Sequence, residues 1–107
     1  LILIGHSNGG DMTMLFATKY PHLINKAISM DHRRMIMPRT EKPRLYTLRG
    51  CDYDADAGVL PTKQEQEQFH MKVVKLDGIT HSNMGENGTE EQHRLINQSI
   101  SGFLTQK

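Results

Sequence analysis

Apolar residues in this chain come in short runs set apart by polar punctuation. LILI at the start is a four-residue run closed by Gly5, the length of a buried parallel strand. From Gly9 to Tyr20 the spacing changes. Met12, Leu15, Phe16 and Tyr20 recur at three and four residues, which predicts a helix with these as its apolar positions, and Pro21 ends it. KAISM (26–30), RLYTL (44–48) and KVVKL (72–76) read as three further short strands. The segment DHRRMIMPRTEKP between the second and third strands is polar, basic and broken by proline, hence loop. RGCDYDADAGVLP after the third is a long acidic turn, and DGITHSNMGENG after the fourth is a glycine-rich loop. Thr62 with Glu65, and Thr89 with Gln92, have the spacing of capping boxes. In such a box a hydroxyl and a carboxylate or amide satisfy the first free amides of a helix reciprocally. The first box opens a helix running to about Met71. The second opens a helix whose apolar face is Leu95, Ile96, Ile100, Phe103 and Leu104, weakened slightly by Gly102.

The order strand–helix–strand–loop–strand–helix–strand–helix predicts an α/β fold with a parallel sheet, right-handed crossovers and flanking helices. In such sheets chemistry gathers beyond the carboxyl ends of the strands. Composition narrows the reading. With 107 residues the chain is long enough for one small domain at most, residues 1–107. Thirteen basic residues against 12 acidic leave a net charge of +1, so charge makes no case for nucleic acid or an anionic membrane as partner. The single cysteine, Cys51, excludes an internal disulfide and a cysteine-based zinc site. No apolar run approaches the roughly 18 residues of a membrane span.

After the first strand stands Gly5-His6-Ser7-Asn8-Gly9. A serine at a sharp strand-to-helix turn is forced into a strained conformation that lifts its hydroxyl into the open. Glycines stand on either side because side chains there are expected to collide with the strand and helix. The same turn sets the Asn8 amide at a helix N-terminus, able to stabilise an oxyanion. A phosphate-binding turn is the rival, but neither G-x-x-x-x-G-K-[ST] nor G-x-G-x-x-G is present. A serine needs a base, and the base an orienting carboxylate. His81 lies in the loop after the fourth strand, within reach of Ser7, whereas His22, His70 and His93 read as surface residues. Asp52, Asp54 and Asp56 follow the third strand. Their alternation suggests calcium ligands, but the glycine and glutamate of a helix–loop–helix calcium loop are absent. Asp31 to Arg34, at the end of the second strand, are read as pocket-lining or as a salt-bridged structural loop.

These features together resemble the α/β-hydrolase superfamily, in which the triad follows the chain order Ser, Asp or Glu, His. Gly5-His-Ser-Asn-Gly-Gly10 resembles the elbow that carries the nucleophile. Asp56-Ala-Gly-Val-Leu-Pro61 resembles the acid loop and Gly78-Ile-Thr-His81 the histidine loop. The resemblance spans the chain and implies the C-terminal part of that fold, without a helical cap insertion. It implies Ser7 as nucleophile, His81 as base and Asp56 as acid, with Asp52, nearer the strand end, as the alternative acid. The Asn8 amide would supply half of the oxyanion hole. The implied reaction cleaves a carboxylic ester or amide of a small molecule or peptide, without metal or organic cofactor. A non-catalytic binding module on the same fold is the alternative. Because the family has strands before the elbow, including a loop that donates the second oxyanion amide, this reading expects further chain upstream of Leu1. It also expects the 107 residues alone to be inactive or unstable, with one edge of the first strand unpaired.

Overall fold

The structure is a computed structural model and describes residues 1–106. Four strands, β1 (Ile2–His6), β2 (Lys26–Met30), β3 (Arg44–Arg49) and β4 (Lys72–Lys75), form one parallel sheet in the order β1-β2-β3-β4. Helices α1 (Asn8–Lys19), α2 (Lys63–Phe69) and α3 (Glu90–Thr105) flank it, with single 3₁₀ turns at Pro21–Leu23 and Ser82–Met84. Each predicted strand and helix is present within a residue or two. Both capping boxes form as expected: Thr62 with Glu65, and Thr89 with Gln92, exchange side-chain and backbone hydrogen bonds. Among the described residues no helix is long and apolar enough to cross a membrane.

Side chains alternate across the sheet, so each strand feeds two cores. On one face Ala27 and Leu45 meet Met14 and Ala17 of α1, with Met71, Met37 and, from α2, Phe69. On the other, Ile28, Tyr46 and Leu48 meet Ile96 and Phe103 of α3, together with Ile79 and Met84. Tyr46 and Phe103 stack with ring centroids 4.5 Å apart, an aromatic pairing worth about 1 kcal/mol beyond the area it buries.

The buried stripe of α1 differs from the expected one. Gly10, Thr13, Met14 and Ala17 are buried, while Met12 is 62% exposed. The cause is the turn that starts the helix. A Cβ at Gly5 would lie 2.2 Å from the Gly9 carbonyl oxygen, so the first turn of α1 presses directly on β1 and sets the helix rotation. On α3, Ile96 and Phe103 are buried, but Leu95 and Leu104 stay partly exposed at the stripe's margins. β1 and β4 are the edge strands, and Ile2 and Ile4 of β1 are each 46% exposed.

The long loop after β2 is pinned at two points. The Asp11 carboxylate on α1 accepts from the amides of Arg34 and Met35, both at 2.8 Å. The Arg39 guanidinium donates to the carbonyls of Met37, Gly58, Val59 and Leu60 and pairs with Glu65 at the start of α2. This loop leads away from the carboxyl ends of the strands, where the chemistry-bearing side chains stand.

Candidate active site

Ser7 is the N-cap of α1. Serine at that place usually accepts a hydrogen bond from the helix's own amides, but here the side chain caps nothing. Its backbone explains why. With φ 57° and ψ −119° it occupies a region that non-glycine residues rarely adopt, a strain of about 1–3 kcal/mol. The hydroxyl is thereby turned off the helix and out over the strand ends. Of the glycines, Gly5 and Gly10 are the ones packing requires. A Cβ on Gly10 would meet the Cβ atoms of His32 and Ser29 at 3.0 and 3.2 Å, whereas one on Gly9 meets nothing within 4 Å. The expectation of crowding on both sides of the serine therefore holds for Gly5 and passes from Gly9 to Gly10.

The Ser7 hydroxyl lies 3.2 Å from His81 Nε2, and His81 Nδ1 lies 3.1 Å from Asp31 Oδ2. An ionised carboxylate only accepts, so Nδ1 carries the proton and Nε2 is left to accept from the serine. The sheet register explains why Asp31 is the partner. His6 pairs with Met30 in the parallel β1–β2 ladder, and Met30 with Leu48 in the β2–β3 ladder. One residue past the strand ends, Ser7 and Asp31 are therefore neighbours, joined through the bond from the Ser7 amide to the Met30 carbonyl at 2.9 Å. Asp31 also has a positive φ of 56° and is fully buried. Its Oδ1 accepts from the Gly50 amide at 2.7 Å and faces Arg49 Nε at 3.7 Å.

The expected arrangement of Ser7 and His81 with Asp56 is not the one formed. Asp56 pairs with Arg33 Nε at 3.1 Å on the surface, both side chains about half exposed, and makes no hydrogen bond to His81. The Arg33 guanidinium is held above its usual range by Asp56 first and then by Tyr53. Asp56 lies seven residues beyond the end of β3, too far along a surface turn to come back over the sheet. Asp52, the alternative, does reach His81, but at its backbone: Asp52 Oδ1 accepts the His81 amide at 2.9 Å. Asp52 and Asp56 thus face different partners and do not converge as calcium ligands would. The signal for Asp31 was its offset. It follows β2 immediately, as Ser7 follows β1.

His81 opens the turn Ser82–Met84, and its loop is held from several sides. Asn83 exchanges hydrogen bonds with Thr80, Ile79 is buried, and the His6 imidazole donates from Nε2 to the His81 carbonyl at 3.1 Å. A Cβ on Gly50 would sit 2.8 Å from Asp31 Oδ2 and 3.0 Å from the His81 amide nitrogen, so the bare backbone there lets the Asp31 and His81 loops meet. The Tyr53 ring stacks on the His81 imidazole with centroids 3.8 Å apart.

Behind Asp31 lies a buried polar group on the α1 face of the sheet. Ser29 and Thr47 are register partners in β2 and β3, and their hydroxyls hydrogen-bond at 2.6 Å. Ser29 also bonds His32 Nδ1 at 2.6 Å. Burial, and then the Arg49 charge, push His32 down to about 4, so it is neutral near pH 7. Burial likewise pushes the Arg49 guanidinium below its usual range. The Asn8 amide, first in α1, has no acceptor within the helix and stands beside Ser7. Set against known proteins, the chain matches no family model, no curated protein and no solved structure.

Proposed function

We propose that this chain is a serine hydrolase of the α/β-hydrolase type, bearing the C-terminal part of that fold. It cleaves a carboxylic ester or amide through an acyl-enzyme. One observation carries the reading: Ser7 Oγ, His81 and the buried Asp31 form a continuous hydrogen-bonded line at the carboxyl ends of parallel strands. Ser7 attacks the carbonyl carbon as its proton passes to His81 Nε2. Asp31 holds the ring by Nδ1 and stabilises the imidazolium. His81 then returns the proton to the leaving group, and water repeats the sequence to release the acid. The Asn8 amide, at the positive end of α1, faces the developing oxyanion. The strained Ser7 backbone supports the same assignment, because a serine needed only as a helix cap has no reason to adopt it.

The test is covalent labelling of the full chain, meaning residues 1–107 together with whatever flanks them in the whole protein, with a fluorophosphonate, followed by mapping of the modified residue. Ser7 carries the label in the parent, and Ser7→Ala loses it. Turnover of an activated ester falls by roughly 10⁶ in the same variant if the three residues act as a unit. Equal labelling of the parent and Ser7→Ala overturns the assignment.

A further inference from the structure

The two hydrogen bonds to His81 act in the plane of its ring. Nδ1 is tied to Asp31 and Nε2 to Ser7. Neither bond holds the ring against tilting out of that plane. The faces of the imidazole must do so. The Tyr53 ring lies 3.8 Å away at 20°, and the His6 ring 5.0 Å away, tilted by 34°. Tyr53 sits in the loop 51–56, which is fastened at both ends. The Cys51 amide donates to the Ile79 carbonyl at 2.8 Å and the Asp56 amide to the Arg33 carbonyl at 2.9 Å. Between these anchors Asp52 takes the His81 amide. The loop after β3, which was expected to supply the acid, instead grips the base by backbone and by ring.

We propose that Tyr53 is a positioning residue for His81, holding the imidazole flat between Ser7 and Asp31 and presenting an aromatic face to the imidazolium. The inference rests on the hydrolase reading for its catalytic consequence, though not for its geometry. A cation over an aromatic face is attracted by the ring's quadrupole. Passage of the serine proton to His81 creates such a cation, so the stack strengthens as the transition state is approached. The groups around His81 are Ser7, His6, Asp31, Asp52 and Tyr53, with Arg49 beyond Asp31. Of these, Tyr53 and His6 bring rings against the imidazole, and that of Tyr53 is the nearer and the more nearly parallel. The phenol hydroxyl has no part in the stack, so phenylalanine suffices.

The experiment compares Tyr53→Phe and Tyr53→Leu in the full chain by three measurements: the fluorophosphonate labelling rate of Ser7, the His81 ring-proton resonances, and the melting midpoint. Tyr53→Phe labels within about twofold of the parent and keeps the ring-current displacement of the His81 signals. Tyr53→Leu labels about tenfold more slowly and loses that displacement, at an unchanged melting midpoint. If Tyr53→Leu melts below the assay temperature, Tyr53→Met, which is also without an aromatic face, takes its place. Parental labelling by the non-aromatic variant overturns the proposal, as do unmoved His81 signals. If the parent itself fails to label, the hydrolase reading falls, and the ring signals alone decide: displacement lost without the aromatic ring supports the positioning role, and displacement kept refutes it.

Discussion

Replacing Asp31 with asparagine tests the register argument most sharply. The carboxylate is fully buried, with Oδ1 on the Gly50 amide at 2.7 Å and Oδ2 on His81 Nδ1 at 3.1 Å. An asparagine that keeps its oxygen on Gly50 must turn its NH₂ toward His81. That donor requires an unprotonated Nδ1, so the proton moves to Nε2 and the imidazole no longer accepts from Ser7. Loss of the correct tautomer lowers turnover by about 10⁴, equivalent to about 5.5 kcal/mol of transition-state stabilisation. The change also strips Arg49 of its nearest carboxylate. Removing one partner of a buried pair costs about 3–5 kcal/mol, so the melting midpoint must be followed alongside activity and the assay run below it. Asp56→Asn is the control. It breaks an ion pair about half exposed on both sides, worth about 0–1 kcal/mol, and leaves turnover within about threefold. The assay is steady-state hydrolysis of an activated ester by the full chain. If folded Asp31→Asn turns over at the parental rate while Asp56→Asn loses a hundredfold or more, the register argument is wrong and the acid lies in the loop after β3.

The glycines of the elbow separate by stability. Gly5→Ala places a Cβ 2.2 Å from a carbonyl oxygen and destabilises by at least about 1–3 kcal/mol, whereas Gly9→Ala, in open space at the helix start, is neutral or slightly stabilising in urea denaturation. His32 gives the pH dependence. Its folded value of about 4 lies below the ordinary 6.5, so the unfolded chain binds the extra proton between them. The neutral-histidine contribution is therefore complete above about pH 6.5 and is lost as pH falls toward 4, by about 3 kcal/mol in all. Denaturant titrations across that range show the slope, and His32→Asn flattens it. An unchanged slope in that variant assigns the acid sensitivity to another group.

Much of this protein was written locally. The closed apolar runs became strands, and both capping boxes formed because hydroxyl and partner lie three residues apart, within one helical turn. Gly5 and Ser7 announced the elbow because its steric demand falls on adjacent residues. His81 was found because it follows a strand. Which carboxylate meets His81 was not settled by the sequence, since that depends on which strand lies beside β1 and in what register. Those are long-range properties, set by packing two helices on one face and one on the other. Once His6 pairs with Met30, Asp31 stands next to Ser7, while Asp56 is left on the surface with Arg33. The buried side of α1 was hidden for the same reason. Periodicity established a helix, but the contact of its first turn with Gly5 decided which way it faces. The sequence determined the elements and two of the three residues at the site. The tertiary structure decided the third, because a neighbour across a sheet is chosen by the sheet and not by the chain between them.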